Sequence, residues 1–293
     1  MTLAKSYPEK KATVTRASND SQMVKLWLNT KAASSQQTYS SAVNQFLAWV
    51  NKPLREVMLE DVQSWVQALS KFYKTNTVKV KLNSVKSLLG FAQQVGYLQF
   101  NVGAAMKAPK AKQTLANRIL SEGEVLKLID AAQPGRDKTM LKLIYATGIR
   151  VSEAIGLTWS DLLAKGNGGQ ATIYGKGSST RVVLIPAKLW SEVMALQAIA
   201  SDKSDAVFQS RTGKHLDRVR VHRIVKAAAQ RAGIDAKASS HWLRHSHATH
   251  AIERDCPLHL LQQSMGHSSI AVTGVYLHSR PDQGSSQFLS GLI

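Results

Sequence analysis

Apolar and polar residues follow a helical spacing through the first hundred residues of the chain. Apolar side chains recur at intervals of three and four over residues 39–50, 62–69 and 78–89, and a shorter stripe lies at 22–28. This spacing places the apolar side chains on one face of a helix, where they can be buried together. We therefore predict a bundle of four helices over residues 20–100.

Two segments around this bundle lack a clear period. Residues 1–19 are polar and basic, which predicts a disordered arm. Residues 101–118 are also basic, with weak periodicity and one proline. This composition indicates a linker between two domains.

Start and stop signals define three helices in the next stretch. Ser121 and Glu124 have the spacing of a capping box ahead of an apolar run. A second helical stripe, over residues 140–145, ends at Gly148, and Arg150 follows shortly after. We expect Ser152 to cap a further short helix that runs to residue 157.

A β-hairpin signature lies in the middle of the chain. Residues 171–174 and 180–185 are rich in strand-forming side chains, and they flank a Gly-Lys-Gly-Ser-Ser turn with Lys176 near its tip. Two more helices are predicted around residues 188–200 and 218–232. The predicted fold class is therefore mainly α with a small antiparallel β-sheet, in two domains.

The charge of the chain indicates what kind of partner it has. There are 38 basic and 19 acidic residues, which give a formal net charge of +19. Such an excess favours a polyanion, with nucleic acid first, over a small neutral substrate. The single cysteine, Cys256, excludes a disulfide framework and a cysteine-based zinc site. Without a signal peptide or a long apolar run, we expect a cytoplasmic, nucleoid-associated protein with no membrane partner.

The stretch from residue 241 to residue 276 concentrates side chains that can do chemistry. His241, Arg244 and His245 share one face of a predicted helix. His267 follows a Met-Gly pair that ends one helix before the next begins, and Tyr276 stands near the end of that next helix. Each of these features alone also fits a structural role, such as a cationic helix face, a capping histidine or a tyrosine at the rim of a core.

A metal site is an alternative reading of His245, His247 and His250. No two of these three are four residues apart with a glutamate after the first, which is the zinc-binding pattern of a helix. We therefore predict no metal site and no cofactor.

Taken together, four segments resemble the motifs of the tyrosine recombinases, the phage integrase and Xer-type family. They are ATGIRVSEAIGLTWSDL for the first arginine motif, IYGKGSSTRVVLIP for the hairpin lysine motif, HWLRHSHATHAIERD for the His-x-x-Arg motif, and LLQQSMGHSSIAVTGVYLH for the Gly-His and tyrosine motif. The resemblance covers residues 118–280 by motif, and the first domain only by its size and helical pattern.

The resemblance implies a fold, an activity and a set of site residues. It implies a helical, SAM-like core-binding domain at residues 20–100 and an α+β catalytic domain at 119–280. The activity would be site-specific recombination of double-stranded DNA through a 3′-phosphotyrosyl intermediate, without metal or ATP. The active form would be a homotetramer on two DNA sites, with at most weak self-association without DNA. The tail, residues 281–293, would dock on a neighbouring protomer, although a frayed terminus fits it equally well. The residues that match the family's catalytic positions are Arg150, Lys176, His241, Arg244, His267 and Tyr276.

Physical chemistry explains why these residue types suit phosphoryl transfer. Arg150 and Arg244 present planar guanidinium groups that match phosphate oxygens and stay charged at working pH. His267 would hydrogen-bond a non-bridging oxygen of the phosphate. These groups act where negative charge develops in the transition state.

The remaining residues would supply the nucleophile and transfer the protons. Tyr276 would attack the phosphorus atom, with His241 as the candidate base for its phenolic proton. Lys176, on the hairpin, would protonate the 5′-oxygen that leaves.

Several basic residues are candidates for contact with the DNA backbone. They are Lys71, Lys74, Lys79, Lys86, Arg181 and Arg218. Two other functions stay open: a type IB topoisomerase, which uses a similar site, and a DNA-binding protein that has kept the scaffold without the activity.

Overall fold

The computed structural model describes residues 14–110, 115, 118–175, 179–197, 202–235 and 237–277. These residues are mostly helical and include one three-stranded antiparallel sheet, which confirms the predicted fold class. The chain divides into two compact units, Met1–Lys112 and Gln113–Ile293. None of the helices in the described part of the chain is long and apolar enough to span a bilayer.

Four helices form the first unit, as the apolar stripes predict. They are α1 (Asp20–Asn29), α2 (Ala33–Val50), α3 (Leu59–Phe72) and α4 (Thr75–Gln94). Their apolar faces enclose a core in which Phe46 and Trp65 meet edge to face, with ring centroids 5.0 Å apart. Asn19 caps α1 by accepting a hydrogen bond from the Gln22 amide, so the bundle begins where the stripe begins.

Both segments that flank the bundle contain ordered structure. Residues 14–19, predicted as part of a disordered arm, lie against the bundle: the Val14 amide donates to the Val95 carbonyl at 3.1 Å, and Ala17 packs on the core. Residues 1–13 lie outside the described residues. In the predicted linker, Val102–Ala105 form a short 3-10 helix, and Met106 packs on the same core. The first part of that segment therefore belongs to the first unit.

In its described residues, the second unit has eight α-helices and the sheet around a larger core. The elements are α5 (Glu122–Asp130), α6 (Arg136–Thr147), α7 (Val151–Gly156), β1 (Leu162–Lys165), β2 (Gly168–Tyr174), β3 (Thr180–Ile185), α8 (Ala187–Met194), α9 (Arg218–Arg231), α10 (Ser240–Glu253), α11 (Leu258–Met265) and α12 (Ile270–Gly274). Helix α10 packs against α6 and also contacts α11, which packs on α12.

One predicted detail of this unit is wrong, and another is incomplete. Ser152 does not cap α7, because the helix begins earlier: Arg150 is its N-cap residue, and the Arg150 amide donates to the Glu153 carboxylate at 2.7 Å. The hairpin also has a third strand, β1, which pairs antiparallel with β2 from Leu162 opposite Ala171. The Leu-Leu-Ala-Lys sequence of β1 has no alternation of apolar and polar residues, so it gives no strand signal.

Candidate active site

Arg244 lies at the centre of the candidate site and is almost buried. Only 6% of its surface is exposed, and burial, together with the charge of Arg150, lowers its pKa to about 10. Its Nη1 donates to the Gly148 carbonyl, and its Nη2 donates to the Met265 carbonyl at 2.7 Å. The guanidinium therefore remains charged at neutral pH and is held by the backbone of two other segments.

Gly148 makes one of these backbone contacts possible. It ends α6 in the left-handed conformation with φ of 64°. A Cβ atom at this position would lie 2.5 Å from Cδ2 of His247, which packs over it. Glycine is therefore required both for the turn and for the close approach of α10.

Arg150 bonds the same turn after α11 as Arg244 does. Its Nη1 donates to Glu153 at 2.9 Å, and its Nη2 donates to the Gly266 carbonyl at 3.2 Å. The two arginines thus bond consecutive carbonyl groups, those of Met265 and Gly266, although they lie 94 positions apart in the sequence (244 less 150). Two positive charges converge on one short segment of backbone.

Glu153 joins Arg150 to a third arginine. Burial would raise the pKa of the Glu153 carboxyl, but its hydrogen bonds from Arg181 and Arg150 hold that pKa below its usual range. Arg181 donates to both carboxylate oxygens, at 3.0 and 2.7 Å, and its Nε donates to the Ser264 carbonyl at 2.7 Å. The Arg181 side chain is only 10% exposed. The Arg181 guanidinium is therefore engaged inside the protein, so we expect it to have a structural role; its predicted contact with DNA stays a prediction.

His267 follows the shared turn, in the predicted position between two helices. Gly266 ends α11 with φ of 63°, and Ser269 caps α12. Because an arginine can only donate, the 3.0 Å contact of Arg244 Nη2 with His267 Nε2 makes that nitrogen an acceptor. His267 Nδ1 then donates to the Thr273 hydroxyl oxygen at 2.9 Å. Burial and the charge of Arg244 lower the pKa of His267 to about 4, so this histidine is neutral.

Tyr276 closes the site from just beyond α12. Its ring is buried, with 6% of the residue exposed, in a small apolar cluster, and it lies parallel to the His267 ring at a centroid distance of 6.3 Å. Its hydroxyl group is 2.8 Å from His245 Nδ1. Burial raises the phenol pKa, although the charges of Arg244 and Arg150 act against that rise.

His245, rather than His241, hydrogen-bonds the tyrosine. Within the described residues, His241 is exposed at the start of α10, one helical turn before His245. Although much of this residue is exposed, partial burial of its ring, and then the charges of Arg244 and Arg218, lower the pKa of His241. The predicted pairing of His241 with Tyr276 is therefore absent from this arrangement of the site.

Lys176 lies outside the described residues. The strand ends on either side of it are paired, with Tyr174 opposite Thr180 and the Gly175 amide donating to the Ser179 carbonyl at 2.7 Å. The predicted hairpin is thus present up to the edges of its turn.

The other predicted DNA contacts differ in their exposure. Lys71, Lys74 and Lys79 are exposed near the end of α3 and in the first turns of α4. Lys86 is partly buried, and its ammonium group donates to the Met106 carbonyl. This contact engages the Lys86 ammonium group, so we expect Lys86 to contribute less to DNA binding than the three exposed lysines. Arg218 is exposed at the start of α9.

Sequence reasoning gave no site role to Glu153, Thr273 or His245. Glu153 has a local signal, since a carboxylate three residues after Arg150 is placed to cap the helix that begins there. His245 shares a helix face with His241, but only the packing of α12 decides which of the two meets the tyrosine. No cluster of three or more residues able to bind a metal occurs in the described parts of the chain.

Comparison with known proteins identifies the family. Residues 118–283 match the phage integrase family, and residues 21–90 match the N-terminal SAM-like domain of phage integrases. The chain is 32% identical over 268 residues to the tyrosine recombinase XerD of Bifidobacterium longum (strain NCC 2705), covering 83% of this chain and 86% of that protein.

Solved structures resemble the fold. The XerH site-specific recombinase bound to palindromic difH substrate has a TM-score of 0.74 at 19% identity, covering 94% of this chain and 84% of that one. A lambda integrase tetramer bound to a Holliday junction has a TM-score of 0.69 at 17% identity, covering 86% and 78%. The chain belongs to the phage integrase family, that of the tyrosine recombinases, and is a tyrosine-type site-specific recombinase.

Proposed function

We propose that this recombinase cuts and rejoins DNA strands by joining Tyr276 to the 3′-phosphate of the broken strand. The convergence of Arg150 and Arg244 on consecutive carbonyls supports this most directly. It places two guanidinium groups beside His267, in the second unit that also holds the buried phenol. A phosphodiester is the substrate whose charge and geometry suit such a pair.

The two arginines would stabilise the transition state. Attack on a phosphodiester builds additional negative charge on the non-bridging oxygens of the five-coordinate phosphorus. Arg150 and Arg244 are already fixed in place by backbone carbonyls and by Glu153. Little reorganisation is then needed when the charge appears, which is the basis of electrostatic catalysis.

His267 would change its hydrogen bonding when phosphate binds. In the resting site its Nε2 accepts from Arg244. A phosphate oxygen would compete for the Arg244 donor, and its negative charge would raise the pKa of His267. The protonated ring could then donate to that oxygen while Thr273 still holds the other nitrogen.

Lys176 would supply the proton that the leaving 5′-hydroxyl needs. The fixed guanidinium groups provide the positive charge that a metal ion supplies in other phosphoryl transferases, so neither metal nor ATP is required. The phosphotyrosyl bond retains the energy of the broken linkage, and attack by a 5′-hydroxyl can reseal a strand.

The partner is proposed to be double-stranded DNA in the cytoplasm, bound by a homotetramer on two sites. The net charge of +19 favours a polyanion, and a lambda integrase of similar fold forms a tetramer on a Holliday junction. The tail at residues 281–293, which lies outside the described residues, stays a predicted docking segment.

The experiment begins by finding a substrate. The protein is incubated with a library of duplex oligonucleotides of randomised interior, and adducts that resist SDS are recovered and sequenced. The selected duplex, nicked next to the cleavage point so that the released fragment is lost, then traps the intermediate. We expect wild type to form the adduct and Tyr276→Phe to bind the DNA without forming it.

Tyr145→Phe is the matched control. The Tyr145 hydroxyl oxygen is also within hydrogen-bond distance of a histidine on α10, 2.9 Å from His250 Nδ1, but this pair lies outside the proposed site. It should form the adduct as wild type does. An adduct on Tyr276→Phe would show that another residue is the nucleophile, and no adduct with wild type would overturn the proposed function.

A further inference from the structure

One contact with the proposed nucleophile has no role in the chemistry described so far. The Tyr276 hydroxyl group is 2.8 Å from His245 Nδ1, and the two rings are tilted by 46° with centroids 5.7 Å apart. His245 lies on α10, one residue after Arg244, whose guanidinium is fixed at the proposed phosphate site. The same helix therefore carries a phosphate-binding group and a base in contact with the phenol.

We infer that His245 is a further catalytic residue, the proton acceptor for Tyr276 during strand cleavage. This inference rests on the proposed function of Tyr276 as nucleophile. It moves the role of general base from His241 to the histidine that touches the reacting oxygen.

The proposed step is balanced in atoms and charge. The phenolic oxygen of Tyr276 forms a bond to phosphorus while its proton moves to Nδ1 of His245. The bond from phosphorus to the 5′-oxygen breaks, and that oxygen takes a proton from Lys176. In rejoining, His245 returns its proton to the phenolic oxygen, and Lys176 recovers its proton from the attacking 5′-hydroxyl.

The surroundings of His245 keep it able to accept a proton. Burial, and after it the charges of His241, Arg118 and Arg244, lower its pKa to about 4, so the ring is neutral at working pH. Tyr276, the other titratable group in contact with it, is an uncharged phenol in the resting site. The negative charge of a bound phosphodiester would offset the nearby arginines and raise the pKa of His245, which would make it a better base when the substrate is present.

A second arrangement on the same helix provides a matched control. His250 Nδ1 is 2.9 Å from the Tyr145 hydroxyl oxygen, so α10 carries two contacts of the same kind, one inside the site and one outside it. Replacement of either histidine by asparagine removes an imidazole that contacts a tyrosine hydroxyl group. Only His245→Asn should alter the chemistry.

The test uses the selected nicked duplex and measures the rate of adduct formation in a single turnover. The asparagine oxygen can occupy nearly the position of Nδ1 and accept a hydrogen bond, but it does not take up a proton. We expect His245→Asn to be slower by about 10² to 10³-fold near pH 7. His250→Asn should cleave at the wild-type rate under conditions where it is folded.

The pH profile separates proton transfer from positioning. Wild type should reach a plateau above the pKa of His245 in the complex. Without the base, His245→Asn reacts only through the small fraction of Tyr276 that is already ionised. This fraction increases about tenfold per pH unit, so the rate of the variant should keep rising with pH. The ratio of the wild-type rate to the variant rate should then fall about tenfold per pH unit. A fluorinated tyrosine of lower pKa at position 276 should recover part of the rate of His245→Asn, because its proton needs less assistance.

The possible failures are distinguishable. If wild type forms no adduct that depends on Tyr276, the proposed function itself is wrong. If wild type forms it and His245→Asn is equally fast, or has a deficit that is constant with pH and unaffected by the fluorinated tyrosine, then His245 only positions the phenol and our inference is overturned.

Discussion

Replacement of Arg181 by methionine should destabilise the second unit by about 3 to 5 kcal/mol. The change leaves the buried carboxylate of Glu153 with Arg150 as its remaining guanidinium partner. It removes two charge-assisted hydrogen bonds to Glu153 and one bond to the Ser264 carbonyl. Methionine has a similar length and keeps the apolar packing of the side chain, so the loss is mainly electrostatic.

The magnitude follows from how deeply the ion pair is buried. Hydrogen bonds to charged groups contribute about 1.5 to 3 kcal/mol each, and removing one partner of a buried ion pair costs about 3 to 5 kcal/mol. The side chains of Arg181 and Glu153 are 10% and 6% exposed. Arg254 offers a matched control, because it pairs with Glu122 in the same unit outside the site, but the two side chains are 66% and 45% exposed. Arg254→Met should therefore cost about 1 kcal/mol or less.

The loss should depend on pH in a defined direction. In wild type the pKa of Glu153 is lowered, so its ion pair stabilises the fold above the carboxyl's unfolded pKa and loses that effect as the pH falls through the folded value. Burial raises the pKa of Glu153, and the hydrogen bonds from Arg181 oppose that effect in wild type. Without Arg181 the pKa of Glu153 therefore rises. Protonation then removes the poorly paired charge, so the difference between wild type and variant should be smaller at pH 5 than at pH 7.

The assay is urea unfolding of the full chain, followed by a fluorophore on Cys256. This residue is the only cysteine of the sequence and belongs to the second unit, so the signal reports the unit that carries the substitution. A loss below 1 kcal/mol at pH 7, equal losses for the two arginine variants, or a difference that grows in acid would each refute the reasoning.

Two further predictions concern the turn after α6 and the lysines that are predicted to contact DNA. Gly148→Ala should destabilise the second unit by more than 2 kcal/mol in the same urea assay, because it combines a left-handed φ with a clash against His247. Gly213→Ala, also at positive φ but with open space around it, should cost only about 1 kcal/mol, and equal losses would contradict the role of the clash. Lys79→Met should lower the salt dependence of DNA binding by about one unit of slope, measured by fluorescence anisotropy at several salt concentrations. Lys86→Met should leave that slope unchanged, because Lys86 bonds the Met106 carbonyl; a change equal to that of Lys79→Met would show that Lys86 also contacts phosphate.

Local signals were enough to predict most of the fold. The apolar stripes located the four helices of the first unit, and Gly148 and Gly266 ended helices as their sequence context indicated. The burial of Arg181 also had a signal that the prediction overlooked. Arg181 alternates with Val183 and Ile185 along β3, and those two side chains are buried, so the period of two places Arg181 on the covered face.

The remaining parts of the site depend on contacts between distant segments. The choice between His241 and His245 as the neighbour of Tyr276 is fixed by how the end of α12 packs on α10, 31 positions away from His245. The neutral state of His267 depends on the burial of the site and on Arg244 beside it. Spacing in the sequence does not report such packing, although it brought the right residue types together.

The paired carbonyls of Met265 and Gly266 have a consequence for what can occupy the site. In the resting protein these oxygens accept hydrogen bonds from Arg244 and Arg150, so both guanidinium groups are oriented before an anion binds. The partial negative charge of the same oxygens would oppose an anion at the proposed phosphate site. A free inorganic phosphate has few other contacts to offset that opposition, whereas a duplex bound along its backbone would have many. We therefore expect small anions of the cell to compete poorly with DNA for this site.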